Sequence, residues 1–210
     1  MDKKYLIIIA IAIVAILVIG AFAMGVFDHK KTTPFSTEFM SGAFAGQVSQ
    51  LNSTNESFIC CFEDSTNNIT YNLTTLDNAS ALMEIYRYQG ILGPEHRKIN
   101  GNEWNIYFSK AIANNNGSNN TVGIVICEVQ TEHQGYVINI IFNDLSKVNF
   151  TLGTYSESYT DFVEPLLNSI NLTETDNFLH INEEFGLSES QFSQQIQLIM
   201  QSNRGNYSNT

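Results

Sequence analysis

Glu128, Glu132 and His133 are the residues whose types and spacing come nearest to a reactive centre in this chain. In an extended segment, positions of like parity share a face. Glu128 and Glu132 are therefore expected on one outward face, where they could offer carboxylates to a cation or act as an acid–base pair. A plain solvated strand face accounts for the same pattern. His96-Arg97-Lys98 is the basic cluster of the region after residue 31. It could grip an acidic partner, or it could be a charged turn following Gly93-Pro94. His29, His96, His133 and His180 fall in no metal-ligand spacing, and Asp176, Glu183 and Glu184 lack the spacing of a calcium loop. No nucleophile elbow, P-loop or dinucleotide fingerprint occurs. No catalytic, cofactor-binding or metal-ligating residue is assigned, and the chain is not read as an enzyme.

The three cysteines are Cys60, Cys61 and Cys127. Adjacent cysteines on a strand point to opposite faces, so Cys60 shares a face with Phe58 and Phe62. Cys127 shares one with Val125 and Val129. A Cys60–Cys127 disulfide is one reading. Three small buried hydrophobes is the other, and the odd count leaves a free thiol either way.

Asn-x-Ser/Thr occurs at Asn52, Asn55, Asn68, Asn72, Asn78, Asn116, Asn119, Asn149, Asn171 and Asn206. With 24 asparagines in the chain, chance gives about four such matches. The surplus points to an exported domain that carries N-glycans.

A delivery signal stands ahead of all of these residues. Tyr5 to Phe27 contains no charge and no proline, and fourteen of its residues are Leu, Ile, Val or Phe. As a helix it would be about 34 Å long, against a hydrocarbon core of about 30 Å. Its insertion is favoured by about 4–8 kcal/mol. Lys3 and Lys4, with Ala21-Phe22-Ala23, also fit a cleaved signal peptide, but the run is longer than a usual signal core. Flanking positive charge nearly ties. The sequons set the expected orientation, with the N-terminus cytoplasmic and the C-terminal domain extracellular.

From Thr32 onward six Lys or Arg face nineteen Asp or Glu, a net charge of −13. That opposes nucleic-acid binding and docking on anionic lipid. It suits a solvated surface.

Several elements follow from pattern. Ser57–Glu63 reads as a strand. In Asn68–Thr75, Ile69, Tyr71 and Leu73 face inward, with Asn68, Thr70, Asn72 and Thr74 on a wet face. Asp77 caps a helix through about Gln89, with Ala79, Leu82, Met83 and Tyr86 buried. Asn102–Ala111 is a strand with Trp104, Ile106 and Phe108 inward, and Asn114–Asn120 is a polar loop. Thr121–Thr131 and Gly135–Asn143 form a hairpin. Ser158-x-x-Asp161 opens a helix that Pro165 kinks or delays. Ser188-x-x-Gln191 opens another, to Gln201. Phe35–Val48 is ambiguous between helix and strand, and Gln50–Ser57 reads as a turn.

Ile99-Asn100-Gly101 before the Trp104 strand, Gly135-Tyr136-Val137-Ile138, and Phe162 through Asn168-Ser169-Ile170 follow one another as in a PsbP-type α/β/α domain, which the region Ile99–Leu172 resembles. The whole chain also resembles the anchored, Asn-rich surface proteins of methanogenic archaea. The resemblance implies a non-enzymatic module that binds a partner at a membrane face, and it transfers no binding residue.

The expected fold is α+β: an N-terminal transmembrane helix, then an antiparallel sheet flanked by helices in a PsbP-like sandwich. The expected segments are a cytoplasmic n-region (1–4), the anchor or signal peptide (5–27), a stalk (28–34) and an exterior domain (35–173). A C-terminal helical extension (174–201) and a disordered tail (202–210) follow. The expected function is that of a membrane-anchored, N-glycosylated surface domain with a binding or envelope-structural role. Its partners would be the membrane, through residues 5–27, and an envelope or surface protein. An envelope hydrolase or other enzyme whose site is assembled from carboxylates such as Glu128 and Glu132, or a secreted domain cleaved at Ala23, are the alternatives.

Overall fold

Aromatic and β-branched residues at every second position build the centre of the fold, because such side chains pack well on a pleated surface. The computed structural model describes residues 31–53, 58–86, 88, 90–115 and 118–180, with 188, 190, 191, 194 and 198 beyond them. The chain divides into two compact units, Met1–Thr32 and Thr33–Thr210, and the described residues lie almost wholly in the second. Its strands are β1 (Thr32–Ser36), β2 (Met40–Ala45), β3 (Ser49–Ser53), β4 (Ile59–Asp64) and β5 (Ile69–Leu76). After helix α1 (Asn78–Tyr86) come β6 (Leu92–Ile99), β7 (Asn102–Asn115), β8 (Ser118–Gln130) and β9 (Gly135–Phe142). A π-helical turn (Tyr159–Val163) leads into α2 (Glu164–Ser169), and β10 (Asn171–Leu172) follows.

Seven strands form one antiparallel sheet in the order β3-β4-β5-β9-β8-β7-β6, and β1-β2-β10 form a second. On one face of the large sheet Tyr71, Trp104, Ile106, Cys127, Ile138 and Phe142 form one core with Met40 and Phe44 of the small sheet and with Phe39 of its β1–β2 connection. Val163, Leu166 and Leu167 complete that core. On the other face Tyr107, Ile124, Ile126 and Val137 carry Ala81 and Ile85 of α1.

This arrangement corrects the expected α+β sandwich. The fold is mostly antiparallel sheet with two short helices, of nine and six residues. A layer of strands stands where the PsbP-like reading put a helical layer. Gly42 permits it: a Cβ there would lie 2.9 Å from the Ser169 hydroxyl, so β2 needs glycine to approach α2 this closely. No helix among the described residues is long and apolar enough to cross a membrane. The expected transmembrane helix, Tyr5–Phe27, lies outside those residues, as does the tail 202–210. Thr32, Thr33 and Pro34, expected as stalk, belong to β1.

Three further expectations change. The polar Asn114–Asn120 loop shrinks, because β7 and β8 pair as far as Asn115↔Ser118. Gln50–Ser53 and His96–Lys98, read as turns, lie in β3 and β6, the two outer strands of the large sheet. The second helical segment is capped by Ser156, not Ser158: the Tyr159 amide donates to the Ser156 hydroxyl at 3.3 Å, and Ser158 is already helical. The π-helical turn directly before α2 accommodates Pro165, which has no amide to donate. At Ser188 the expected capping box forms, with the Ser188 amide donating to Gln191 Oε1 at 3.0 Å and the Gln191 amide to Ser188 Oγ at 3.4 Å.

Close approach of α1 to β9 rests on Gly135, where a Cβ would meet the Ala81 methyl at 2.5 Å. Gly135→Ala is expected to cost about 1–3 kcal/mol of stability through overpacking. Urea denaturation of the purified variant would measure the loss.

Candidate functional site

At one end of the large sheet the β8–β9 turn, the start of α1 and the segment Glu174–His180 converge. Each is held by a specific bond. Asp77 caps α1: Oδ1 accepts the Ser80 amide at 2.8 Å and Oδ2 accepts the Ser80 hydroxyl at 2.5 Å. His180 Nδ1 lies 3.7 Å from Asp77 Oδ2. Leu179 pairs with the end of β5, its amide donating to the Thr75 carbonyl and its carbonyl accepting the Asp77 amide. The Phe178 ring stands 4.6 Å from the His180 ring. In the turn, the Gln134 amide donates to the Tyr136 hydroxyl, which donates to the Thr173 carbonyl at 2.9 Å. Two adjoining depressions of about 350 and 590 Å³ result, both lined by His133 and Phe178. The first also borders Glu174 and Asp176, the second Asn78 and Glu132.

The two carboxylates singled out by spacing are not brought together. Glu132 stands in solvent, its side chain 87% exposed and 4.0 Å from His133. Glu128 is sealed at 0% exposure, because α1 and its neighbours cover the face on which it lies. Its Oε2 accepts from the Asn105 amide at 2.7 Å. Asn105 Oδ1 in turn meets His96 Nδ1 at 2.8 Å. His96, Asn105 and Glu128 are direct neighbours across β6, β7 and β8. Burial pushes the Glu128 carboxyl above the usual glutamate value, against the opposing pull of the Asn105 and Gln130 amides. No donor meets Oε1 at hydrogen-bond geometry. Spacing alone could not reveal this rung, because it depends on strand register. Among the described residues no three His, Cys, Asp or Glu side chains gather as a metal would require.

The basic cluster is also divided. His96 and Lys98 lie on the α1 face of β6. Arg97, on the other face, donates to the Thr154 hydroxyl and lies 3.8 Å from Glu95.

The disulfide reading is corrected by register. Cys60 pairs with Leu73, Leu73 with Ile138 and Ile138 with Cys127. The two thiols share a face, as expected, but three inter-strand steps separate them by about 14 Å. A disulfide needs Cα atoms within about 7 Å. All three cysteines are free thiols, and burial raises each above the ordinary thiol range.

Of the sequons, Asn149 and Asn171 are exposed, and Asn68 sits half-buried at a left-handed turn position. Asn72 is half-buried on a face that is not wet throughout: Asn139 opposite it and Thr74 beside it are buried. Asn78 donates its amide to the Thr131 carbonyl at 3.2 Å. Asn52 and Asn119 lie in β3 and β8. Asn55, Asn116 and Asn206 lie outside the described residues.

Comparison with protein families finds no match, and comparison with curated proteins finds none. Among solved structures the chain is similar to LpqN, described as involved in cell envelope biogenesis of Mycobacterium tuberculosis. The TM-score is 0.39 at 12% identity, covering 70% of this chain and 92% of that one. A likeness this distant fixes neither fold family nor function.

Replacing the cap by Asp77→Ala is expected to cost about 1 kcal/mol and to loosen His180, read by thermal unfolding and by amide exchange in α1. Alkylation of the native protein should leave Cys60 and Cys127 slow to react. Unfolding without reductant should expose all three thiols, counted by intact mass.

Proposed function

We propose that this chain is a cell-envelope module with a binding or structural role, not a hydrolase. It is held at the membrane through the apolar segment Tyr5–Phe27 and presents its sheet domain outside the cell. The observation that supports the non-enzymatic part, against a site built on this carboxylate pair, is the fate of Glu128 and Glu132. One carboxyl is sealed inside the sheet cover and the other lies in solvent, so the two cannot act on one substrate. The depressions around His133 and Phe178 are the contact surface this reading favours. They combine an aromatic ring with exposed carboxylates, as a polar recognition surface requires. The net −13 after residue 31 sets the partner against nucleic acid and anionic lipid.

Delivery rests on hydropathy and on the sequon surplus. Asn149 and Asn171 are the acceptors whose exposure best suits glycan addition. A secreted form remains the second reading, favoured by Ala21-Phe22-Ala23. Cell fractionation with peptide mass spectrometry of the native protein tests all of this. Recovery of the Tyr5–Phe27 peptide in the membrane fraction, with sugar on Asn149 or Asn171, is the expected result. A mature N-terminus just after Ala23 in the medium would establish the secreted form. Cytosolic protein with every asparagine unmodified would end the envelope reading.

A further inference from the structure

We propose that the groove made by the two adjoining depressions takes a basic segment of an envelope protein, whose Lys or Arg side chains meet Phe178 and the carboxylates of Glu132, Glu174 and Asp176. The inference deepens the proposed function and rests on its reading of this groove as the contact surface.

The charged side chains that border the groove favour one sign of partner. Glu132 borders one depression, Glu174 and Asp176 the other, and all three are exposed. Among the described residues no Lys or Arg borders either depression. Asp77 is present too, but its carboxylate is engaged by Ser80 and lies 3.7 Å from His180. Glu132 lies 4.0 Å from His133, and neither Glu174 nor Asp176 forms an ion pair with a described residue. Phe178 borders both depressions. The face of an aromatic ring attracts ammonium and guanidinium groups. A neutral apolar occupant would instead strip water from the carboxylates without pairing them, which is costly. Ring and carboxylates, two features of different kind, therefore select the same class.

The frame of the groove is fixed in advance, which lowers the cost of binding. Gln134 is buried in its wall, donates to the Tyr136 hydroxyl and accepts the Thr175 amide at 3.4 Å. The Thr175 hydroxyl donates to Glu38 at 2.9 Å. The volumes, about 350 and 590 Å³, exceed what one ammonium group fills. Two such depressions sharing the His133–Phe178 rim suit successive side chains of one extended segment. A bare divalent cation needs ligands drawn together, and none gather among the described residues. A second copy would bring its own net −13, and Arg97 of its basic cluster is already spent on Thr154 and Glu95.

The test uses the full chain in mild non-ionic detergent with short synthetic Gly/Ser peptides: one bearing Lys and Arg, one bearing Glu and Asp, one uncharged. Binding is read at low salt by calorimetry and by NMR shifts of His133 and Phe178. The basic peptide is expected to shift both residues. Glu174→Gln with Asp176→Asn should weaken its binding about three- to tenfold. Phe178→Leu, which keeps apolar bulk but removes the ring, should weaken it about two- to fivefold. Glu63→Gln with Glu157→Gln removes the same charge outside the groove and should leave binding almost unchanged. Equal weakening by the two carboxylate pairs would mean diffuse attraction to an acidic chain and would overturn the proposal. Spermine bound as tightly as the basic peptide would overturn the choice of a protein segment. Self-association of the chain that buries His133 and Phe178 would give the groove to a second copy and overturn it likewise. Should the acidic or uncharged peptide shift the two residues in place of the basic one, the cationic class falls while the contact surface stands. Silence of both residues toward all the peptides would remove the contact surface as well.

Discussion

Val122–Val129 and Gly135–Ile140 are buried on both faces, and the rest of the structure answers to that burial. An antiparallel sheet commonly leaves one face wet. Here β8 and β9 are dry on both, so two different covers are needed. The small sheet and α2 supply one, and α1 with Leu179 supplies the other. Each cover is held where a side chain would otherwise intrude: Gly135 beneath α1, Gly42 against Ser169, and Gly123, where a Cβ would strike the Phe150 ring at 2.6 Å.

Two-sided burial also separates what was legible in the sequence from what was not. The strong strands, their inward residues and the β8–β9 hairpin follow from alternation and need no knowledge of the second cover. Glu128 and Asn72 were assigned to a wet face by the same alternation, on the assumption that one face meets water. That assumption fails where α1 lies. α1 itself is apolar almost all round, with Ala79, Ala81, Leu82, Met83, Ile85 and Tyr86 in nine residues. Its pattern therefore pointed to a stripe through Ala79 and Met83, whereas Ala81 and Ile85 are the buried pair. The polar residues trapped under the cover then had to find partners. Asn105 meets Glu128, and Glu84 accepts the Asn139 amide at 2.8 Å. This pairing joins residues that spacing alone would never group.

The outer strands escaped notice for the opposite reason. An edge that looked like an inner strand would invite a second chain to pair with it. β6 carries Pro94, a register irregularity between Leu92 and Glu95, and the polar and basic side chains of His96, Arg97 and Lys98. β3 is short, polar and irregular between Gln50 and Asn52. These features protect an edge, and they also read as turns. The basic cluster therefore has a sufficient explanation as edge protection, with Arg97 spent on Thr154 and Glu95.

Two of the three motifs that suggested a known family meet in space. Asn100 and Gly101 make the left-handed turn between β6 and β7, and the Asn100 amide donates to the Ile170 carbonyl at 2.6 Å. One residue earlier, the Ser169 hydroxyl accepts the Ala43 amide at 2.8 Å, tying the end of α2 to β2. Two stretches seventy residues apart in sequence thus form one joint, where the last helix closes on both sheets. Residues fixed by such a joint are constrained by geometry, whatever the molecule binds. They mark how a chain is closed and carry no information about a ligand. A resemblance resting on them can therefore place turns and a closing helix correctly while it misjudges the layer between them. For the same reason, the contact surface proposed for this domain is drawn from residues that closure leaves free, around His133 and Phe178.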